Sequence, residues 1–314
     1  LNTGLVQTVL GVVPADSLGV THAHEHLVAY ATEKIRSEEP DLLLDDPNRV
    51  AVDLEEFRRL GGGCIVEMTT VDYGHDPLAL RALSDLTGVK IIAVTGFNKE
   101  VYCKAYCEGK DPGEIAAREV ADIVEGIAGT GVRAGAIKFA TSLNAIRPAE
   151  EVAARAAARA HLETGVPILT HTEAGTMAHE QLDLLASEGV PADRVVIGHM
   201  DRNPDLDLHR SLILRGAYIS YDQVPKPKYA TEGHVIRLIT ALAKEGLHDH
   251  IVVGGDFARR SLFAGWGGSP GLRYLTTTFV GKLRQALGEA GLDADEVVEA
   301  ILVRNPARAL AIRA

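Results

Sequence analysis

The chain runs to 314 residues, 46% of them hydrophobic and 24% charged, with a formal net charge of −11. This balance excludes a disordered or fibrous polymer, and the acidity argues against nucleic acid as a partner. Cys64, Cys103 and Cys107 make no disulfide framework, no apolar run approaches the ~20 residues of a membrane span, and residues 1–10 lack a secretory pattern, so a cytoplasmic protein with no membrane partner is expected.

Gln7–Pro14 reads as a short N-terminal hairpin. Eight apolar, β-branched runs follow: Leu18–His24, Cys64–Thr69, Val89–Thr95, Gly135–Ala140, Val166–His171, Val195–His199, Ala217–Tyr221 and Ile251–Gly255. Helical stretches lie between and after them, at Asp76–Leu86, Pro112–Ile127, Pro148–Glu163, Thr176–Glu188, Pro204–Arg215, Glu232–Glu245 and Leu272–Leu287. Proline opens several, and a glycine closes most (Gly88, Gly165, Gly189, Gly216, Gly246 and Gly288). Strands alternating with helices make a parallel sheet, and eight is the number that closes one into a barrel. No G-x-G-x-x-G follows a strand, which removes the main support for an open, dinucleotide-binding sheet. The expected fold is an α/β, single-domain (β/α)8 TIM barrel over residues 1–314 with a small N-terminal β-hairpin.

The first barrel strand ends T-H-A-H-E-H, Thr21–His26. Alternate residues of a strand share a face, so His22, His24 and His26 can all look into the barrel. His24 and His26 can grip one ion, whereas His22 lies a layer deeper and reads as structural. The fourth strand carries Lys138, the fifth ends at His171, the sixth at His199 and the eighth at Asp256. Polar residues that end apolar strands gather at the mouth of a barrel, where this fold does its chemistry. Four imidazoles and a carboxylate suit a divalent transition metal such as zinc. A lysine inside an apolar strand needs a reason, because burying an unpaired ammonium is costly. Either a salt bridge satisfies Lys138, or its amine is neutral and has captured carbon dioxide as a metal-bridging carbamate.

These residues, in this order, resemble the amidohydrolase superfamily, and more closely its phosphotriesterase branch with the phosphotriesterase-like lactonases. The similarity is carried by THAHEHL (Thr21–Leu27), GIAGTGVRAGAIK (Gly126–Lys138), ETGVPILTHT (Glu163–Thr172), VVIGHMD (Val195–Asp201) and RNPA (Arg304–Ala307). The resemblance implies a binuclear centre, with His24, His26 and Asp256 on the buried ion and His171 and His199 on the exposed one. Carboxylated Lys138 and a hydroxide would bridge two divalent ions, zinc first, with manganese, cobalt or iron as alternatives; a homodimer is also implied. Two cations lower the pKa of a shared water toward about 7. Such a centre would direct a hydroxide at a carbonyl or phosphoryl centre, with Asp256 as the expected acceptor of its proton.

The loops after the strands set specificity. Asn98 stands where homoserine-lactone-hydrolysing relatives place a tyrosine, and Gln223 follows Asp222 where they tend to have arginine, which argues against long-chain lactonase and efficient phosphotriesterase activity. The same loops are basic, with Lys99 and Lys104, then Lys226 and Lys228, then Arg259, Arg260 and Arg273. Cations at the mouth of an acidic protein point to an anionic group on a small-molecule substrate. F-N-K, K-P-K-Y and G-G-D-F-A-R-R resemble the branch that hydrolyses phosphorylated sugar lactones. The expected substrate contacts are Asn98, Lys99, Lys226, Lys228, Tyr229, Arg259, Arg260 and Arg273. The alternatives are a neutral lactone or carboxylester hydrolase with weak phosphotriesterase activity, and a non-catalytic binding protein. Glu67 and Asp72 could reach the pocket, and Cys103-x-x-x-Cys107 reads as a loop that binds no metal.

Overall fold

Leu5–Thr8 (β1) and Gly11–Pro14 (β2) pair as the expected antiparallel hairpin in a computed structural model that describes residues 4–30, 33–224, 226–229 and 231–313. Eight parallel strands follow: Val20–Glu25 (β3), Gly62–Glu67 (β4), Lys90–Gly96 (β5), Ala136–Thr141 (β6), Ile168–Thr172 (β7), Val195–Ile197 (β8), Tyr218–Tyr221 (β9) and Ile251–Val253 (β10). Each is hydrogen-bonded to the next in chain order. The Asp256 N–H donates to the His24 carbonyl oxygen at 2.9 Å and joins the end of β10 to β3. A Cβ at Gly254 would meet that same carbonyl oxygen at 2.8 Å, so the approach of the two strands requires glycine there.

Period-2 alternation divides the core in two. Val66, Ile92, Val94, Ala136, Leu169 and Val252 face inward, together with Val6 of the hairpin. Ile65, Ile91, Ala93, Ile137, Phe139, Ile168 and Ile251 face the helices. The hairpin is tied to the barrel by the Val9 N–H, which donates to the Ile91 carbonyl oxygen at 2.9 Å.

The helices are Glu33–Glu38 (α1), Pro47–Arg59 (α2), Pro77–Thr87 (α3), Glu100–Cys107 (α4), Pro112–Ala121 (α5), Pro148–Thr164 (α6), Ala178–Ser187 (α7), Leu206–Leu214 (α8), Glu232–Lys244 (α9), Val280–Glu289 (α10), Ala294–Glu299 (α11) and Asn305–Ala309 (α12). None among the described residues is long and apolar enough to cross a membrane. α2 was not foreseen, although its start carries Pro47 behind an Asp46 cap and it buries Val50, Leu54 and Phe57 along one face. The segment expected to be a loop around Cys103 and Cys107 is α4, and both thiols are buried on it one turn apart. α5 ends earlier than expected, at Ala121, because the chain opens into a wider turn over Asp122–Gly126.

Glu119 on α5 is buried, and neither carboxyl oxygen has a hydrogen-bond partner among the described residues. Burial pushes its pKa well above the ordinary 4.5. For a carboxyl raised on folding, the stability contribution is complete below the unfolded value and is lost as pH rises through the folded one. Glu119→Gln is therefore expected to unfold at higher urea than wild type at alkaline pH, with the difference shrinking toward acid. Midpoints that differ equally at every pH would show that Glu119 does not titrate in this way.

Candidate metal centre

His24 and His26 lie at the end of β3, buried, with both imidazoles lining a cavity of about 480 Å³ at the C-terminal mouth of the barrel. His22 lies deeper. Its Nδ1 is 2.9 Å from Glu25 Oε1 and its ring packs on Phe57 with centroids 4.6 Å apart, a structural place. Two groups of side chains converge closely enough to hold a metal ion: His24, His26 and Asp256, and His24, His199 and Asp222.

Hydrogen bonds behind the rings determine which nitrogen faces the cavity. The Thr69 hydroxyl donates to Glu67 and lies 2.8 Å from His26 Nδ1, so it accepts the proton of that nitrogen. The Asp222 carboxylate is 3.2 Å from His24 Nδ1 and 2.6 Å from His199 Nδ1, and it accepts from both. All three imidazoles thus keep a bare Nε2. His26 Nε2 lies 3.3 Å and His24 Nε2 3.7 Å from Asp256 Oδ1, which places lone pairs opposite a carboxylate oxygen. His24 Nε2 is buried and has no hydrogen-bond partner among the described residues. A divalent cation between them relieves that arrangement, and carboxylates bound to the far nitrogen of ligating histidines are the usual support for one. The residues present therefore fit a divalent metal.

The ionisation states agree. Burial pushes His26 down to about 4 and His171 down to about 3, and it lowers His24 against the pull of Asp222, so these rings are neutral at physiological pH. Burial alone would raise Asp256, but the Lys226 ammonium beside it holds its carboxyl well below the usual carboxylate range.

Lys138 corrects an expectation. It lies buried on β6 within the cavity wall, but neither metal-binding group includes a lysine. Its Nζ donates to the Met68 carbonyl oxygen at 2.8 Å, and Asp256, Asp72, Glu67 and Asp222 counter the loss of basicity that burial imposes. The amine is thus satisfied by a backbone acceptor in a field of carboxylates. A carbamate bridge formed with carbon dioxide is not part of the arrangement, and the candidate ligand sets are histidine and aspartate.

His171 also lines the cavity, yet it belongs to neither group. Its ring stands edge-on to His199 with centroids 4.5 Å apart, and its Nε2 is 3.4 Å from Glu173. Asp222 was missed as a member of the site, although it closes β9 as Asp256 follows β10. The sequence signal was there: a lone acid ending an apolar strand.

Of the expected substrate contacts, Asn98, Lys99, Lys226, Lys228, Tyr229 and Arg259 line the cavity, whereas Arg260 and Arg273 are not among its lining residues. Arg260 pairs with Asp45, and Arg273 lies 3.7 Å from Glu56. Lys99 and Arg202 share Glu173 at 2.6 and 2.7 Å. Lys226 Nζ is 2.6 Å from Asp256 Oδ2, and Arg259 Nη2 is 2.7 Å from Glu39. Glu67 and Asp72 support the site from behind, the first through Thr69 and the second by accepting the Asn98 N–H at 2.9 Å.

Known proteins share this architecture. The crystal structure of a lactonase from Listeria monocytogenes superposes with a TM-score of 0.94 at 37% sequence identity, covering 99% of this chain and 100% of that one. The phosphotriesterase homology protein of Escherichia coli is 34% identical over 294 residues, 93% of this chain and 98% of that protein. A phospho-furanose lactonase of Mycoplasmopsis synoviae is 30% identical over 327 residues, 97% of this chain and 91% of that protein. A model of the Phosphotriesterase family matches residues 4–310. On likeness that spans nearly the whole chain and converges on the same barrel, the protein belongs to the phosphotriesterase family of metal-dependent hydrolases.

Proposed function

We propose that this hydrolase opens small, phosphorylated sugar lactones. The observation that carries the reading is the charge of the cavity. Six cationic side chains line it (Lys99, Lys138, Arg202, Lys226, Lys228 and Arg259) against three carboxylates (Glu39, Glu173 and Asp256), in a protein of net charge −11. Such a cavity concentrates anionic substrates, and each charge-assisted hydrogen bond to a phosphate contributes about 1.5–3 kcal/mol. The phospho-furanose lactonase of Mycoplasmopsis synoviae among the relatives supports the same substrate class.

His24, His26 and Asp256 are the proposed ligands of one ion, and His171 and His199 of a second, with Asp222 orienting His24 and His199 from behind. A divalent metal there supplies Lewis acidity and makes water acidic enough to be a nucleophile near neutral pH. The chain's own groups do the rest. Asp256 Oδ2, held by Lys226 at 2.6 Å and Gln223 Nε2 at 2.8 Å, accepts the proton of the attacking water. Lys228 and Arg259 hold the phosphate at the mouth, away from the bond that breaks.

Lys228 provides the test, because it has no carboxylate partner among the described residues and rests over the Tyr229 ring, 5.0 Å from its centroid. Lys228→Ala should raise KM for a phosphorylated aldonolactone about tenfold, the loss of roughly one charge-assisted bond. The unphosphorylated lactone should be almost unaffected. Equal effects on kcat/KM for the two substrates would remove the phosphate reading and leave the family's hydrolase chemistry in place.

A further inference from the structure

We infer that Glu25 is a positioning residue that holds Asp256 in the backbone conformation from which its carboxylate reaches the histidines. Asp256 has φ +44°, a left-handed conformation that is uncommon for a residue with a Cβ and costs energy unless its surroundings stabilise it. Glu25 imposes it from the opposite strand. Its Oε1 accepts the Gly255 N–H at 2.9 Å, and its Oε2 accepts the Phe257 N–H at 2.8 Å. The Asp256 N–H between them donates to the His24 carbonyl oxygen at 2.9 Å. Three consecutive amides after β10 are therefore held by two neighbouring residues of β3.

The geometry explains why a carboxylate stands between two histidines that face the cavity. Alternation along β3 sends His24 and His26 to the cavity and Glu25 to the other side, where it is fully buried. His22 Nδ1, 2.9 Å from Glu25 Oε1, braces it from behind. Thus His22 and Glu25, which the hydrolytic chemistry does not use, act together, and T-H-A-H-E-H contributes two imidazoles and also the clamp on Asp256.

The inference rests on Asp256 being a metal ligand, as in the proposed function. The test is titration of the metal-free full-length protein with Co2+, read by the visible absorption of the bound ion. Asp256→Ala is the reference and should weaken Co2+ binding about 100-fold or more. Glu25→Gln leaves every ligand side chain in place, but its amide offers one acceptor, so one N–H loses its partner. It should weaken Co2+ binding about 10–100-fold, the range for losing support behind a ligand, and change the cobalt spectrum. The double variant should bind no more weakly than Asp256→Ala alone, because Glu25 acts through Asp256.

Glu25→Asp keeps the charge one methylene short and is the second variant should Glu25→Gln not fold; it too should lose affinity. Wild-type Co2+ affinity in a folded Glu25 variant, or losses that multiply in the double variant, would overturn the clamp. Wild-type affinity in Asp256→Ala would instead remove the ligand assignment itself.

Discussion

Asp256→Asn is expected to lower kcat by about 10²- to 10⁴-fold for phosphorylated and unphosphorylated lactones alike, the range for loss of a positioned proton acceptor. The substitution preserves shape and removes charge. An amide cannot take a proton from the attacking water, and it is a poor partner for a metal beside His24 and His26, whose Nε2 atoms lie 3.7 and 3.3 Å from Oδ1. It also loses the ion pair with Lys226. KM should change little, because the substrate's phosphate is held at the mouth. Steady-state kinetics on both lactones, with metal content measured in parallel, decide the matter. A loss confined to one substrate would place Asp256 in recognition and not in chemistry.

The second large effect is expected at Asp222. This buried carboxylate accepts from His24 Nδ1 and His199 Nδ1, and it also receives the His199 N–H at 3.3 Å. Asp222→Ala leaves two imidazoles without the acceptor that fixes their tautomer. Losing a buried hydrogen bond to a charged acceptor costs about 1.5–3 kcal/mol, and support behind metal ligands is worth about 10–100-fold in affinity. The variant should therefore unfold at markedly lower urea and be purified with less metal. Asp222→Asn is the sharper probe. Its NH2 group faces one of the two rings and turns that ring's bare nitrogen away from the cavity, so metal is lost with a smaller change in stability. Full metal content in both variants would show that Asp222 is not needed to orient His24 and His199.

Much of this was legible in the chain. Strands buried on both faces read as continuous apolar runs, and each ends where a polar residue meets the mouth, so all eight were placed close to their positions. The same signal brought His24, His26, His171, His199 and Asp256 to one cavity. It did not reveal Asp222 as a hinge between His24 and His199, because that role depends on which ring nitrogen faces which oxygen.

Lys138 marks the boundary between the two kinds of information. The sequence says that a lysine is buried and must be satisfied; it does not say by what, and the answer is the Met68 carbonyl oxygen, 70 residues away. The basic loops behave in the same way. The basic residues of the strand-end loops foretold a cationic mouth, but Arg260 turns to Asp45 and Arg273 toward Glu56, outside the cavity lining, while Lys99 and Arg202 converge on Glu173. Pairing among loop charges depends on which loops fold next to one another, and nothing local encodes it.

What the sequence by itself determined is the barrel and the histidines and Asp256 at its strand ends, because strand periodicity and strand ends are local properties of a chain. Only the tertiary structure decided how those residues are wired. Asp256 sits in a left-handed conformation because Glu25, more than two hundred residues earlier, accepts the amides on either side of it. Hydrogen bonds between strands that meet only when the barrel closes fix a backbone angle and a tautomer, and those two quantities decide whether the residues at the mouth can hold a metal.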